Sequence, residues 1–149
     1  MSAFEAINVL GGVPANLRAP LIKEFNKIQT NFREHRWEPT ELDGGRFAEI
    51  VYVIVKGYLD SKFPALISKP DNMLDACKKL EDYDKNKFPR SLRIQVPRLL
   101  IALYEIRNQR NIGHIGGDVD PNEMDSSVVV SISKWVFAEL VRVFHSLTV

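Results

Sequence analysis

Only one stretch of this 149-residue chain alternates as a β-strand would, and it has nothing to pair with. Leu92, Ile94 and Val96 interleave with Arg93, Gln95 and Pro97, but no partner strand exists elsewhere in the sequence. A lone strand leaves its backbone N–H and C=O groups unsatisfied. The other apolar segments recur with the helical period, so the expected fold is all-α. We expect an up-and-down bundle of about five helices forming one domain over residues 1–149, with a poorly defined arm at residues 1–15. Residues 91–110 are assigned to a helix with a break or kink at Pro97, which serves equally well as the first residue of a fresh helix.

The remaining helices follow from periodicity and punctuation. Asn16 is positioned to cap a first helix running to Glu34, with Leu21, Ile22, Phe25, Ile28 and Phe32 on one face and Pro20 in the opening turn. Pro39 breaks the chain. The run from Thr40 to Asp43 has capping-box spacing, although Gly44 and Gly45 leave the start of the second helix open. In that helix Phe47, Ile50, Val51, Ile54, Val55, Tyr58 and Leu59 form a broad apolar face that Tyr52 and Val53 widen, and Gly57 predicts close packing of another helix. A third helix is predicted over residues 71–83, capped by Asp71, with Met73, Leu74, Cys77 and Leu80 inward. Asp120, Pro121 and Glu123 announce the last helix, whose stripe of Val129, Ile132, Val136, Leu140, Val143, Phe144 and Leu147 is extended by Val128 and Trp135 to a second face. Apolar surface this broad on two helices predicts a homodimer.

With 45% hydrophobic and 26% charged residues, the chain can bury a core without metal or disulfide. Its single cysteine, Cys77, excludes an internal disulfide, suits a reducing cytosol, and lies on an apolar stripe as a core thiol. Neither a secretory signal nor an apolar run of bilayer length is present, so a soluble cytoplasmic protein without membrane contact is expected. Metal-ligand spacings, phosphate loops, dinucleotide fingerprints and serine-nucleophile elbows are also missing, so no metal and no cofactor is expected.

One segment mixes helix and chemistry. Val96, Leu99, Leu100, Leu103 and Ile106 form a helical stripe, and Arg107 falls almost in line with Leu100 and Val96. A guanidinium on the inward side of a helix needs an anion, across either a cleft or an interface. Gly113, Gly116 and Gly117 then end the helix and leave His114 on a tight turn. Between residues 85 and 112, Lys85, Lys87, Arg90, Arg93, Arg98, Arg107 and Arg110 face a single acid, Glu105. A basic segment ending at a candidate site suits a phosphate-tracking surface, although Arg90 and Arg98 fit a solvated helix face as well.

Arg107, the polar Asn108 directly after it, and His114 six residues further on resemble the Arg-polar-spacer-His signature of the HEPN superfamily. This is a group of small all-helical domains that includes metal-independent endoribonucleases. Arg110 lies too close to His114 to fit the same signature. The text from Pro97 through Gly117 to Trp135 and Val141 is similar to the C-terminal part of abortive-infection-type HEPN proteins of bacteria and their phages. The resemblance implies a cytoplasmic defence or toxin–antitoxin endoribonuclease with a composite site at a homodimer interface. In it His114 would move a proton, Arg107 and Asn108 would stabilise phosphorane charge, and Glu49 from an early helix would act as supporting acid. Arg93, Arg110 and Asn111 would contact RNA. Chemistry through the ribose 2′-hydroxyl would spare DNA, and an antitoxin or defence-system protein is an implied partner. A non-catalytic HEPN-type RNA-binding or dimerisation module is the alternative, since Arg110 and Asn111 suit binding as well as chemistry. Ile115 and Gly116 replace the His-x-Tyr ending of the toxin branch silenced at tyrosine, so that control is not expected here.

Overall fold

The computed structural model describes residues 9–109 and 119–145, and among them every regular element is helical. The order is α1 (Ala15–Arg33), α2 (Trp37–Leu59), α3 (Met73–Leu80), a π-helical turn (Ser91–Gln95) leading directly into α4 (Val96–Gln109), and α5 (Glu123–Phe144). This is the all-α bundle of five helices that the periodicity predicts. No described helix is long and apolar enough to cross a membrane.

α2 is the central helix. It packs on α1, α4 and α5, while α3 lies against α4. Phe47, Val51, Ile54 and Val55 of α2 are fully buried with Leu17, Leu21 and Ile28 of α1, Leu100 and Leu103 of α4, and Val129, Val136 and Leu140 of α5. Tyr52 and Val53 are also buried, so the breadth of α2 is explained by three neighbours within one chain and gives no reason for a second subunit. α5 differs. Met124, Val128 and Trp135 remain 73%, 44% and 43% exposed, and they share one face of the helix.

Several element boundaries depart from expectation for identifiable reasons. α1 begins after Pro14, whose carbonyl accepts from the Leu17 and Arg18 N–H groups, while Asn16 donates across to the Pro64 and Ala65 carbonyls instead of capping. Pro20 consequently lies in the second turn rather than the first. α2 starts at Trp37, ahead of the expected capping box. Pro39 falls in its first turn, where a backbone N–H has no helical acceptor to lose. Gly44 and Gly45 are thus inside the helix. Gly57 makes room for Phe63 of the following connection, whose Cδ1 would lie 2.9 Å from an added Cβ, and not for another helix. Asn72 rather than Asp71 caps α3, which is shorter than residues 71–83 and leaves Leu74 exposed. Asn122 rather than Asp120 caps α5 by accepting from the Asp125 N–H.

The alternating stretch at residues 92–97 is resolved as the π turn. The Val96 N–H reaches back five residues to the Ser91 carbonyl. Pro97 has no N–H to offer the carbonyl four residues before it, and the wider turn accommodates that loss just ahead of α4. Leu10 and Val13 are buried and the Gly12 N–H donates to the Phe144 carbonyl at 2.8 Å, so these residues of the expected loose arm are tied to the core.

Candidate functional site

Arg107 is near the end of α4, on the continuation of the buried Leu100–Leu103 stripe, and its side chain crosses the surface of α2. The crossing point is Gly45. A methyl group there would overlap Arg107 Cδ and come within 2.9 Å of Nε, so the absence of a side chain at this position lets the guanidinium pass. One helical turn further along α2, Glu49 meets it. Arg107 Nη1 is 3.6 Å from Glu49 Oε1, with the two side chains 24% and 14% exposed. An ion pair so shielded is screened far less than a surface pair.

Tyr104 completes this group. It precedes Arg107 by three positions, so both point to one side of α4. The guanidinium carbon lies 5.3 Å from the Tyr104 ring centroid, within cation–π range. The phenol pKa is raised, first by burial and then by the Glu49 charge, with Arg107 opposing; its hydroxyl is in hydrogen-bonding reach of both. The three side chains therefore hold one another. Asn108 is exposed, and together with Tyr104 it lines a cleft of about 300 Å³ between the start of α3 and the last turns of α4.

Among the residues singled out from the sequence, Arg107 and Glu49 are brought together and Asn108 lies next to them. Arg93 is not part of this surface: it is 7% exposed, and its Nε donates to the Phe88 carbonyl at 3.2 Å. The π turn buries Ser91, Leu92 and Arg93 together, which removes Arg93 from any RNA-contacting role on the surface of this chain. Arg110, Asn111 and His114 lie outside the described residues. The basic run is also interrupted at Arg98, which pairs with Glu81 at 2.9 Å. Arg46, beside the site in sequence, is directed to the buried carboxylate of Asp43 at 3.7 Å, which also receives Asn31 and Lys27.

Two participants were missed by sequence reasoning. Tyr104 is legible only as an i, i+3 neighbour of Arg107, and Gly45 reads in the sequence as an uncertain helix start. Cys77 is buried against Met73, with the sulfurs 3.6 Å apart, and burial pushes its thiol up to about 12, as suits a core residue. Among the described residues no cluster of histidine, cysteine or carboxylate side chains has the arrangement of a metal site. Comparison with protein-family models, with curated proteins and with solved structures found no match.

Proposed function

We propose that this protein is a HEPN-type, metal-independent endoribonuclease of a defence or toxin–antitoxin system, working in the cytoplasm as a homodimer. The observation that carries the reading is the Arg107–Glu49 contact: the arginine selected by the signature is the one that meets a carboxylate from an earlier helix. In the proposed reaction the ribose 2′-oxygen attacks the adjacent phosphorus and the bond to the 5′-oxygen breaks, leaving a cyclic phosphate and a 5′-hydroxyl. His114, an imidazole with an unperturbed pKa of about 6.5, takes the 2′-hydroxyl proton and gives one to the departing 5′-oxygen. Arg107 stabilises the additional negative charge on the phosphorane, with Asn108 alongside. Glu49 and Tyr104 keep the guanidinium in place. DNA lacks the attacking hydroxyl and is not cut.

The test is cleavage of single-stranded RNA in EDTA. Wild-type protein should cut, and His114→Ala should lose about two to four orders of magnitude. Equal activity in the two proteins overturns the reading. The exposed Met124, Val128 and Trp135 face of α5 supports a dimer, so light scattering at micromolar concentration should give twice the chain mass, and Trp135→Glu should halve it. A wild-type monomer removes the composite site.

The second reading is a non-catalytic RNA-binding or dimerisation module acting with an antitoxin or defence protein. It is favoured by the exposed Met124, Val128 and Trp135 face of α5, which offers a docking surface that needs no chemistry at Arg107. RNA binding without cleavage by the wild-type protein selects it.

A further inference from the structure

The cleft beside Arg107 has a composition that a phosphate would not choose. Asp71 and Glu105 bring carboxylates to its wall and Asn108 an amide, while Tyr104, Ile101 and Leu74 supply aromatic and aliphatic surface; among the described residues no lysine or arginine lines it. At about 300 Å³ it falls at the small end of ligand-binding clefts. Tyr104 belongs both to this wall and to the Arg107 group, so a ligand filling the cleft continues directly from anything held at the guanidinium.

These features divide a nucleotide in two. The phosphate belongs on Arg107, and the acidic cleft repels it. What the cleft accepts is a flat, uncharged group that packs on aromatic and aliphatic side chains and offers N–H donors to carboxylates. An unstacked base of single-stranded RNA, read on its Watson–Crick edge, has those properties. Of the four bases, guanine presents two adjacent donors, N1–H and the N2 amino group, which match the two oxygens of one carboxylate. Uracil presents one donor between two carbonyl acceptors that face the same carboxylate unfavourably.

We infer that the cleft between α3 and α4 is a base-recognition subsite that selects guanine next to the phosphate held by Arg107, with Glu105 and Asp71 as the reading groups. The inference rests on the proposed role of Arg107 as the residue that faces the reacting phosphate. Recognition at such a subsite makes the protein sequence-selective through carboxylates on the wall of the cleft.

The experiment uses uncleavable 2′-O-methyl tetranucleotides, UUGU and UUUU, with affinity read by fluorescence anisotropy. UUGU should bind about tenfold or more tightly than UUUU, the scale of one well-placed base contact. Glu105→Gln combined with Asp71→Asn should bring the ratio to about one. Both residues are exposed, and an unchanged thermal melt confirms that the fold is retained. Arg107→Ala should leave both oligonucleotides bound and keep the ratio. Equal binding of the two by wild-type protein, a preference untouched by the double variant, or no binding of either up to millimolar concentration overturns the subsite. Because the oligonucleotides cannot be cut, the outcomes separate. A guanine preference in a protein that cleaves no RNA keeps the subsite and sinks the nuclease, whereas cleavage without base preference does the reverse.

Discussion

α2 holds two groups with the same ingredients, a carboxylate, a cation and a tyrosine, assembled in opposite ways. Glu49 meets Arg107 and Tyr104 from α4, whereas Asp60, just beyond the helix and roughly 16 Å further along its axis, meets Lys56 of α2 itself and Tyr83. Lys56 Nζ lies 2.9 Å from Asp60 and 2.8 Å from the Tyr83 hydroxyl, and it stands 5.4 Å from the Tyr83 ring centroid. Tyr83 also donates to Asp60. Hydrogen bonds that Lys56 donates to Tyr83 and then to Asp60 raise its pKa; burial alone would raise that of Asp60, but the bonds it accepts from Tyr83 and Lys56 outweigh burial and lower it.

The ion pair of the Lys56 group is local, tight and open to water, with both charged side chains more than two-fifths exposed. Such clusters satisfy themselves and contribute little beyond about 1 kcal/mol. The Arg107 group joins two helices, is shielded, and makes its ionic contact at 3.6 Å, longer than a hydrogen bond, with a residue that has five N–H donors to distribute. The lesson is that similar residue chemistry acts as a fastener where the two charges are sequence neighbours. Where they are brought together by tertiary packing it becomes a candidate anion site.

The strongest way to break this comparison is to delete each cation. Arg107→Ala should lower RNA cleavage by about two or more orders of magnitude while RNA still binds, because it removes charge stabilisation developed in the transition state. Lys56→Ala should leave cleavage unchanged. If the two results are exchanged, the site has been placed at the wrong end of α2. Arg110→Ala should weaken RNA binding and its salt dependence while turnover at saturating RNA persists, and reversal of the two arginine phenotypes would show that the match to the signature is accidental.

A single methyl group sharpens the same contrast. Gly45→Ala should reduce cleavage by about tenfold or more by displacing Arg107, while alanine's helical preference, worth about 1 kcal/mol over glycine, holds the melting temperature level or higher. Gly57→Ala, near the Lys56 group, should lower the melting temperature through its contact with Phe63 and leave cleavage alone. A Gly45→Ala protein with full activity would mean that the guanidinium need not cross α2 there.

Smaller effects test what lies between the groups. Cys77→Ser should cost about 1 to 3 kcal/mol without affecting cleavage, since it buries a polar group in an apolar site. The wild-type thiol adds a pH signature. It ionises in the unfolded chain near its ordinary value of 9.0 but in the folded chain only at about 12, so the unfolded state binds fewer protons in that window. Stability attributable to Cys77 is therefore complete below the unfolded pKa and falls above it by roughly 1.4 kcal/mol per pH unit. Denaturant melts of wild type and Cys77→Ser should converge between pH 9 and 11, and parallel curves would contradict the burial. Least of all, Tyr83→Phe should cost about 1 kcal/mol in the same melts, with cleavage unaffected.

The fold was legible because helical periodicity is local, and α2 and α5 could be read from their apolar residues alone. Helix starts were less legible. Asn72 and Asn122 took the capping positions from Asp71 and Asp120, and neighbouring polar residues offer near-equivalent caps that only the chain's path decides. In the candidate site, Arg107 could be picked out by its position on an apolar stripe, and Glu49 by the resemblance. Gly45 could not, because its function is to be absent where a side chain from another helix passes. Arg93 misleads for a related reason: a cation in a basic run reads as exposed, and only the π turn buries it.

The π turn has a consequence for how this protein can vary. A turn closed over five residues instead of four adds one residue of chain before α4, and one residue amounts to about 100° of helical rotation. Ser91–Gln95 therefore sets the phase of everything downstream. Losing one residue there would restore regular winding and also swing the far end of α4 away from Gly45 and Glu49. Length changes in this short segment should accordingly be far less tolerated than in the connection at residues 60–70, which carries no such angular bookkeeping.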